Sequence, residues 1–134
     1  NPMPVQKPIP VWFGGGESEG AFRRIARIAD GWFPPMGMYR PDTQGKKSLG
    51  RFRNLVAESG RNPSDVGIGV RARLADGVDE ALRQSEAWAA LGATHLTVNT
   101  MGAGYLSVPQ HLDAHQEFLE RAREYLDLKL LPND

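Results

Sequence analysis

The chain has 134 residues, with 16 lysines and arginines balanced by 16 aspartates and glutamates, so its formal net charge at pH 7 is zero. This balance gives no electrostatic basis for binding nucleic acid or an anionic membrane. The chain has no cysteine, which excludes disulfides, thiolate metal sites and a cysteine nucleophile. No apolar run reaches the roughly 18 residues of a membrane span, so we predict a soluble, cytoplasmic domain.

The chain begins with a proline-rich stretch. Three of its first eight residues are proline, which is typical of an extended linker. We therefore expect residues 1–7 to form an extended segment, residues 8–134 to form the domain, and the whole to be the later part of a longer chain.

The first element of the domain is an apolar strand. Ile9, Val11 and Phe13 fall on one face and Trp12 on the other, which predicts burial on both sides. Gly14, Gly15 and Gly16 end this strand.

These three glycines are the first candidate site. Residues without a Cβ let backbone N–H groups approach a ligand, and a helix that follows directs its positive end at the loop. The sequence does not spell G-x-G-x-x-G, and no P-loop lysine follows. The residues alone therefore leave two interpretations open, a phosphate-binding loop and an ordinary loop.

Four helices and three more strands follow in alternation. Ser18 is placed to cap a helix with the apolar stripe Phe22, Ile25, Ala26 and Ala29. Trp32 and Phe33 form a short strand that ends at two prolines, and residues 37–47 are expected to be a mobile loop. A second helix follows, with the stripe Leu49, Phe52, Leu55 and Val56.

The second half repeats this order. Residues 66–74 alternate with a period of two and predict the third strand, followed by a helix that Asp76 is placed to cap. Residues 94–99 form the fourth strand, and Ser107 with Gln110 forms a capping box for the last helix. Four β-α units predict a parallel sheet with ligand sites at the carboxyl ends of its strands, residues 14–16, 33–36, 71–76 and 99–104.

Several residues at these ends are candidates for a substrate or cofactor pocket. Arg71 and Arg73 alternate with apolar residues; they would contact coenzyme or substrate, or else pair with acids on adjacent helices. Phe33 and Met36 would line an apolar pocket or belong to the core. Asn99 and Thr100 would bind a ligand or cap a turn, and the sequence does not separate these alternatives.

The three histidines give no metal site. His111 and His115 are four residues apart on one helical face, but no third ligand lies nearby, which favours a solvated or packing role. His95 lies within a strand and is expected to fill a side-chain layer or the core rather than to act as a catalyst. Neither a Ser-His-Asp arrangement nor a carboxylate pair stands out, so no catalytic residue is assigned.

Three stretches carry a resemblance to a known family. They are KPIPVWFGGGESEGAFRRIARIADGWFP, AESGRNPSDVGIGVR and LGATHLTVNT. Nearly the whole chain resembles the second half of the luciferase-like monooxygenase family, especially its deazaflavin-dependent branch. The most specific pieces are the P-x-P-x-W-x-G-G strand and loop and the A-D-G-W-F-P strand.

The resemblance implies a fold and a cofactor. The family forms a (β/α)8 TIM barrel that binds FMN or the deazaflavin coenzyme F420, and these units look like its fifth to eighth, a (βα)4 half-barrel of parallel strands. On this mapping Gly14, Gly15, Gly16, Glu17 and Ser18 hold the coenzyme phosphate. The first four units, which in the family provide most ring contacts, are not in this chain.

Three arrangements would cover the edges of a half-barrel. Two copies form a homodimer that closes the ring, a separate chain supplies the complementary N-terminal half, or the chain is the remnant of a longer enzyme. We favour the homodimer.

The resemblance implies a flavin- or F420-dependent oxidoreductase or monooxygenase acting on a small-molecule substrate. The alternatives are a flavin-binding half-barrel without turnover and a purely structural fragment.

Overall fold

The computed structural model describes residues 8–16, 18–35 and 40–125, so the extended segment expected over residues 1–7 lies outside the described part. Four strands alternate with four α-helices, and two short 3-10 turns precede β3 and α3. In chain order the elements are β1 Trp12–Gly14, α1 Glu19–Ile28, β2 Gly31–Phe33, α2 Thr43–Glu58, β3 Gly67–Arg73, α3 Val78–Ala90, β4 His95–Asn99 and α4 Val108–Tyr125.

All the strand pairs are parallel, as the β-α alternation predicted. The strands lie in the order β1-β2-β3-β4, with Phe13 opposite Trp32 and Val70 opposite Leu96. Their carboxyl ends therefore meet at one edge of the sheet. We call this edge the rim; its described residues are 14–16, 33–35, 71–76 and 99–104.

The hydrophobic core lies between the sheet and the helices. Phe22 of α1 and Phe52 of α2 are fully buried against Trp32 of β2, with Phe22 edge-on to Trp32 at a centroid distance of 4.9 Å. Truncating one such aromatic side chain to alanine typically costs about 3–5 kcal/mol. The helices pack on one face of the sheet and leave the other face to other contacts.

On the sheet face away from the helices, three glycines lie beneath aromatic rings. A Cβ at Gly31 or Gly67 would overlap the Trp12 ring, and a Cβ at Gly69 would overlap the Phe33 ring. The two rings contact each other with centroids 4.8 Å apart. We call Gly31, Gly67 and Gly69 the glycine floor, because only residues without a Cβ let these rings lie flat on the sheet.

The prediction for the first strand was partly wrong. The strand begins at Trp12, and Ile9 and Val11 are 60% and 48% exposed rather than buried. Pro10 has no N–H to donate to a ladder, and no described strand pairs with the outer edge of β1. The earlier residues therefore run along an open side of the sheet.

The loop prediction for residues 37–47 was wrong at residues 43–47, because α2 begins at Thr43; residues 37–39 lie outside the described part. The Asp42 carboxylate caps it by accepting hydrogen bonds from the N–H groups of Gln44 and Gly45, at 2.9 and 3.0 Å. Residues 43–47 lack an apolar stripe, but Gly45 has a packing role, since a Cβ there would overlap the Arg40 carbonyl oxygen.

The cap predicted for α3 was also misplaced. Asp76 lies in the 3-10 turn Leu74–Asp76, and Gly77 occupies the cap position with φ 89°. This left-handed conformation favours glycine, so the turn and not a carboxylate sets where α3 begins.

Candidate functional site

The glycine loop, Gly14–Gly16, lies on the rim and is anchored to β2. The Gly15 N–H donates to the Phe33 carbonyl oxygen at 3.4 Å, and the Trp32 indole N–H donates to the Gly15 carbonyl oxygen at 3.0 Å. Because Trp32 is fully buried, the core fixes the position of this loop.

Beyond this anchor, the loop and the first turn of α1 carry free donors. Within the described ranges, no acceptor faces the backbone N–H groups of Gly16, Ser18, Glu19 and Gly20. The Ser18 hydroxyl caps α1 by accepting from the Ala21 N–H at 3.4 Å. Unpaired N–H groups at a helix start are a ready anion site.

The protein's own fold does not explain the outer two glycines. None of Gly14, Gly15 and Gly16 has a positive φ, and a Cβ at Gly14 or Gly16 would have no atom within 4 Å. Glycine is thus required there by neither backbone conformation nor internal packing. This is the arrangement expected where a bound group approaches the backbone closely.

The acid in the first turn of α1, Glu19, is paired with two arginines. Glu19 accepts hydrogen bonds from Arg51 of α2 and from Arg23, the latter at 2.7 Å. The Arg51 hydrogen bond is the main reason that the pKa of Glu19 lies below its ordinary value. These arginines hold its charge toward α2, which leaves the start of α1 open to an anion. Glu17, the remaining residue of the predicted phosphate site, lies outside the described residues.

A second group of predicted residues lies where β2 and β3 end. Phe33 is half-buried on the glycine floor, and Arg71 is exposed. The Arg73 side chain is 49% exposed, and its Nε lies 3.9 Å from Asp76. That acid belongs to the turn after β3 and not to a helix, while Arg71 has no ion pair within residues 8–16, 18–35 and 40–125. Met36 lies outside the described residues.

A cleft of about 120 Å³ separates these strand ends. The cleft exists because β2 pairs with β3 only through Gly31 and Trp32, which leaves the upper part of β3 unpaired on that side. Arg40, Arg71 and Arg73 line it together with Asp76, Gln84, Trp88, Pro34 and Pro35. We call it the arginine cleft.

The fourth rim segment is held by its own side chains. Asn99 caps the turn by accepting from the Met101 N–H at 2.8 Å. The Thr100 hydroxyl is 2.7 Å from His111 Nδ1, and the His111 ring packs edge-on against Tyr105. Among the predicted site residues, Asn99 thus has a structural role in this chain. The sequence missed the contact of His111 with Thr100, since it links two elements across a loop.

Each of the three histidines contacts another part of the protein. No group of three potential metal ligands occurs among the residues that the structure describes. His115 Nδ1 contacts the His111 carbonyl oxygen at 2.8 Å, which is a helix-surface contact. His95 is exposed, so it does not lie in the core; its ring packs edge-on against Trp12 with centroids 4.6 Å apart, on the sheet face away from the helices.

The rim thus has a loop suited to an anion beside a cationic cleft, on a four-stranded parallel sheet. Within the described part of the chain, no helix is both long enough and apolar enough to cross a membrane. The comparison with curated proteins gave no match.

The family model for luciferase-like monooxygenases matches residues 1–130. Flavin or F420 cofactors are general in that family, and four parallel β-α units are consistent with half of its TIM barrel. The chain therefore belongs to the luciferase-like monooxygenase family.

Proposed function

We propose that this chain supplies the coenzyme-phosphate-binding half of a flavin- or deazaflavin-dependent oxidoreductase or monooxygenase. Residues 8–134 would form one (βα)4 unit, with Gly14, Gly15, Gly16, Glu17 and Ser18 at the phosphate of FMN or coenzyme F420. A bound coenzyme of this type supplies hydride transfer or oxygen activation. The substrate is a small organic molecule.

The observation that carries the proposal is the state of the glycine loop. The N–H groups of Gly16, Ser18, Glu19 and Gly20 are free within the described part, and the space beside Gly14 and Gly16 is open. A phosphate at this position would accept several backbone hydrogen bonds and meet the positive end of α1. Its charge would not oppose Glu19, which is paired with Arg23 and Arg51.

The residues of this chain have distinct tasks in such a site. Trp32 and Phe33 hold Gly15 in place from the core side, so the loop needs little rearrangement when it binds. The Trp12 and Phe33 rings cover the glycine floor on the sheet face away from the helices. A coenzyme would therefore enter from the rim, and its reactive ring would lie above these aromatic side chains.

We further propose that a second copy of this chain completes the ring. Every exposed large apolar side chain among the described residues belongs to the first or the last β-α unit: Ile9, Val11, Ile28, Met101, Leu106, Val108 and Leu112. The outer edges of β1 and β4 are also unpaired within the described sheet. Two copies related by a two-fold axis would bring each first unit against the other copy's last unit and give eight strands.

Helical spacing places these apolar residues on the free flanks. Glu19 and Arg23 mark the side of α1 that faces α2, and Ile28 lies on the opposite side. Arg121 pairs with Asp79 of α3, and Leu112 lies on the opposite side of α4. Each flank therefore presents an exposed apolar side chain where a neighbouring barrel helix would pack.

Coenzyme titration tests the first proposal. FMN and F420 are each added to the purified protein, and binding is followed by coenzyme fluorescence. We expect saturable binding of one of them, competed by inorganic phosphate. Saturable binding without oxidation of any donor would make the chain a binding module, and the absence of binding of both would contradict the proposal.

Light scattering tests ring closure. We expect a dimer, and we expect Leu112→Glu to shift it toward monomer, while Ala57→Glu, an exposed position on α2, leaves it unchanged. A stable wild-type monomer, or assembly only with a separate chain carrying the other half, would overturn closure by a second copy.

A further inference from the structure

Three arginines line the arginine cleft, which lies one strand away from the glycine loop. Arg40, Arg71 and Arg73 line it, and Asp76 is the one acid among its lining residues. Asp76 is 3.9 Å from Arg73, so it offsets a single charge. The described lining therefore carries two positive charges in excess.

Glu80 of α3, an acid whose charge acts on Arg40, is engaged by other side chains. Glu80 accepts hydrogen bonds from Gln84 at 2.7 Å and from Arg83, and these contacts lower its pKa, with Arg40 adding a smaller effect. Arg71 has no ion pair with any residue that the structure describes. An arginine that lines a cleft without an acidic partner is suited to bind a carboxylate or phosphate through two parallel hydrogen bonds.

The wall of the cleft adds a second kind of contact. Trp88 is 4% exposed and lines the cleft, and its indole N–H donates to no acceptor in the described ranges. Buried indole N–H groups normally have a hydrogen-bond partner. Pro34 and Pro35 add an apolar part to the lining. An anionic group attached to an apolar body would contact both the polar and the apolar parts of this lining.

We propose that the arginine cleft binds the anionic end of the substrate, a carboxylate or phosphate on an organic body, with Arg71 as its main contact. The inference rests on the proposed function, because it assigns the coenzyme to the glycine loop and the substrate to the cleft. The coenzyme phosphate and the substrate anion then bind at separate places on the same rim.

Calorimetry with small probes tests the assignment. Benzoate and phenyl phosphate distinguish the two anions, and benzyl alcohol is the neutral control. We expect one of the anions to bind and the alcohol not to bind. Arg71→Gln should lower the affinity for the anion about tenfold. Arg24→Gln removes the same charge from an exposed position on α1 and should leave binding unchanged.

Coenzyme titration of the same variants separates this inference from the proposed function. We expect Arg71→Gln to bind FMN or F420 as the wild type does. If Arg71→Gln lowers the affinity for the coenzyme as much as that for the anion, the cleft binds the coenzyme. This result would overturn the inference and leave the glycine-loop proposal standing. If neither anion binds, or if Arg24→Gln weakens binding equally, the inference also fails. If the wild type binds neither FMN nor F420, that result would instead contradict the proposed function.

Discussion

The glycine floor and the glycine loop contain the same residue type for different reasons. At Gly31, Gly67 and Gly69 an added Cβ would overlap an aromatic ring of the protein itself. At Gly14 and Gly16 an added Cβ would meet open space. The floor glycines thus serve internal packing, whereas the loop glycines leave room for something outside the described chain. Substitutions in the glycine floor should therefore lower the stability of the fold. Substitutions in the glycine loop should weaken ligand binding and leave the stability unchanged.

The largest stability effect is expected at the floor. Gly69→Ala places a Cβ against the Phe33 ring, and such overpacking typically costs about 1–3 kcal/mol. Urea unfolding measures it. In a Phe33→Ala background the same substitution should cost almost nothing, because the ring that it strikes is gone. Equal costs in the two backgrounds would show that the floor does not depend on this contact.

Gly50→Ala is expected to act in the opposite direction. Gly50 lies inside α2, and a Cβ there meets nothing within 4 Å. Alanine is favoured over glycine in a helix interior by roughly 0.5–1 kcal/mol, so the variant should be more stable by about this amount. Urea unfolding under the same conditions checks this. A loss of stability would mean that open space at a glycine does not predict tolerance, which would weaken the argument for the loop.

The smallest effect is expected on the helix surface, where neither packing nor a ligand is involved. The hydrogen bond from Arg121 lowers the pKa of Asp79 from its ordinary value of 3.8. A lowered folded-state pKa stabilises the fold above the unfolded-state value, and this contribution is lost as the pH falls through the folded-state pKa. Asp79→Asn should therefore flatten the acid side of the stability profile slightly. Thermal unfolding between about pH 5 and pH 3 measures it, and an identical profile in the variant would contradict the pairing.

The order of elements could be predicted from periodicity, but their edges could not. The alternation in residues 66–74 gave β3, since buried and exposed positions differ in polarity along that strand. The start of α2 was missed, because Asp42 caps a turn that has no apolar stripe. Ile9 and Val11 were misjudged, because burial there depends on a neighbouring strand rather than on the residues themselves.

The candidate site could be predicted in part. The triple glycine identified the loop, but its anchoring by the indole of Trp32 is a contact across 17 residues that has no local pattern. Arg71 and Arg73 were singled out by their alternation along β3. The cleft itself could not be foreseen, because it also needs Arg40 and Trp88, which lie on two other segments.

The most direct test of the central claim is the coenzyme affinity of Gly16→Ala beside that of Gly50→Ala. A Cβ at either position meets no atom of the described structure within 4 Å, so both variants should fold. If the loop holds the coenzyme phosphate, Gly16→Ala should weaken FMN or F420 at least tenfold, by about 1.4 kcal/mol or more, while Gly50→Ala binds as the wild type does. Wild-type affinity in a folded Gly16→Ala variant would contradict the account.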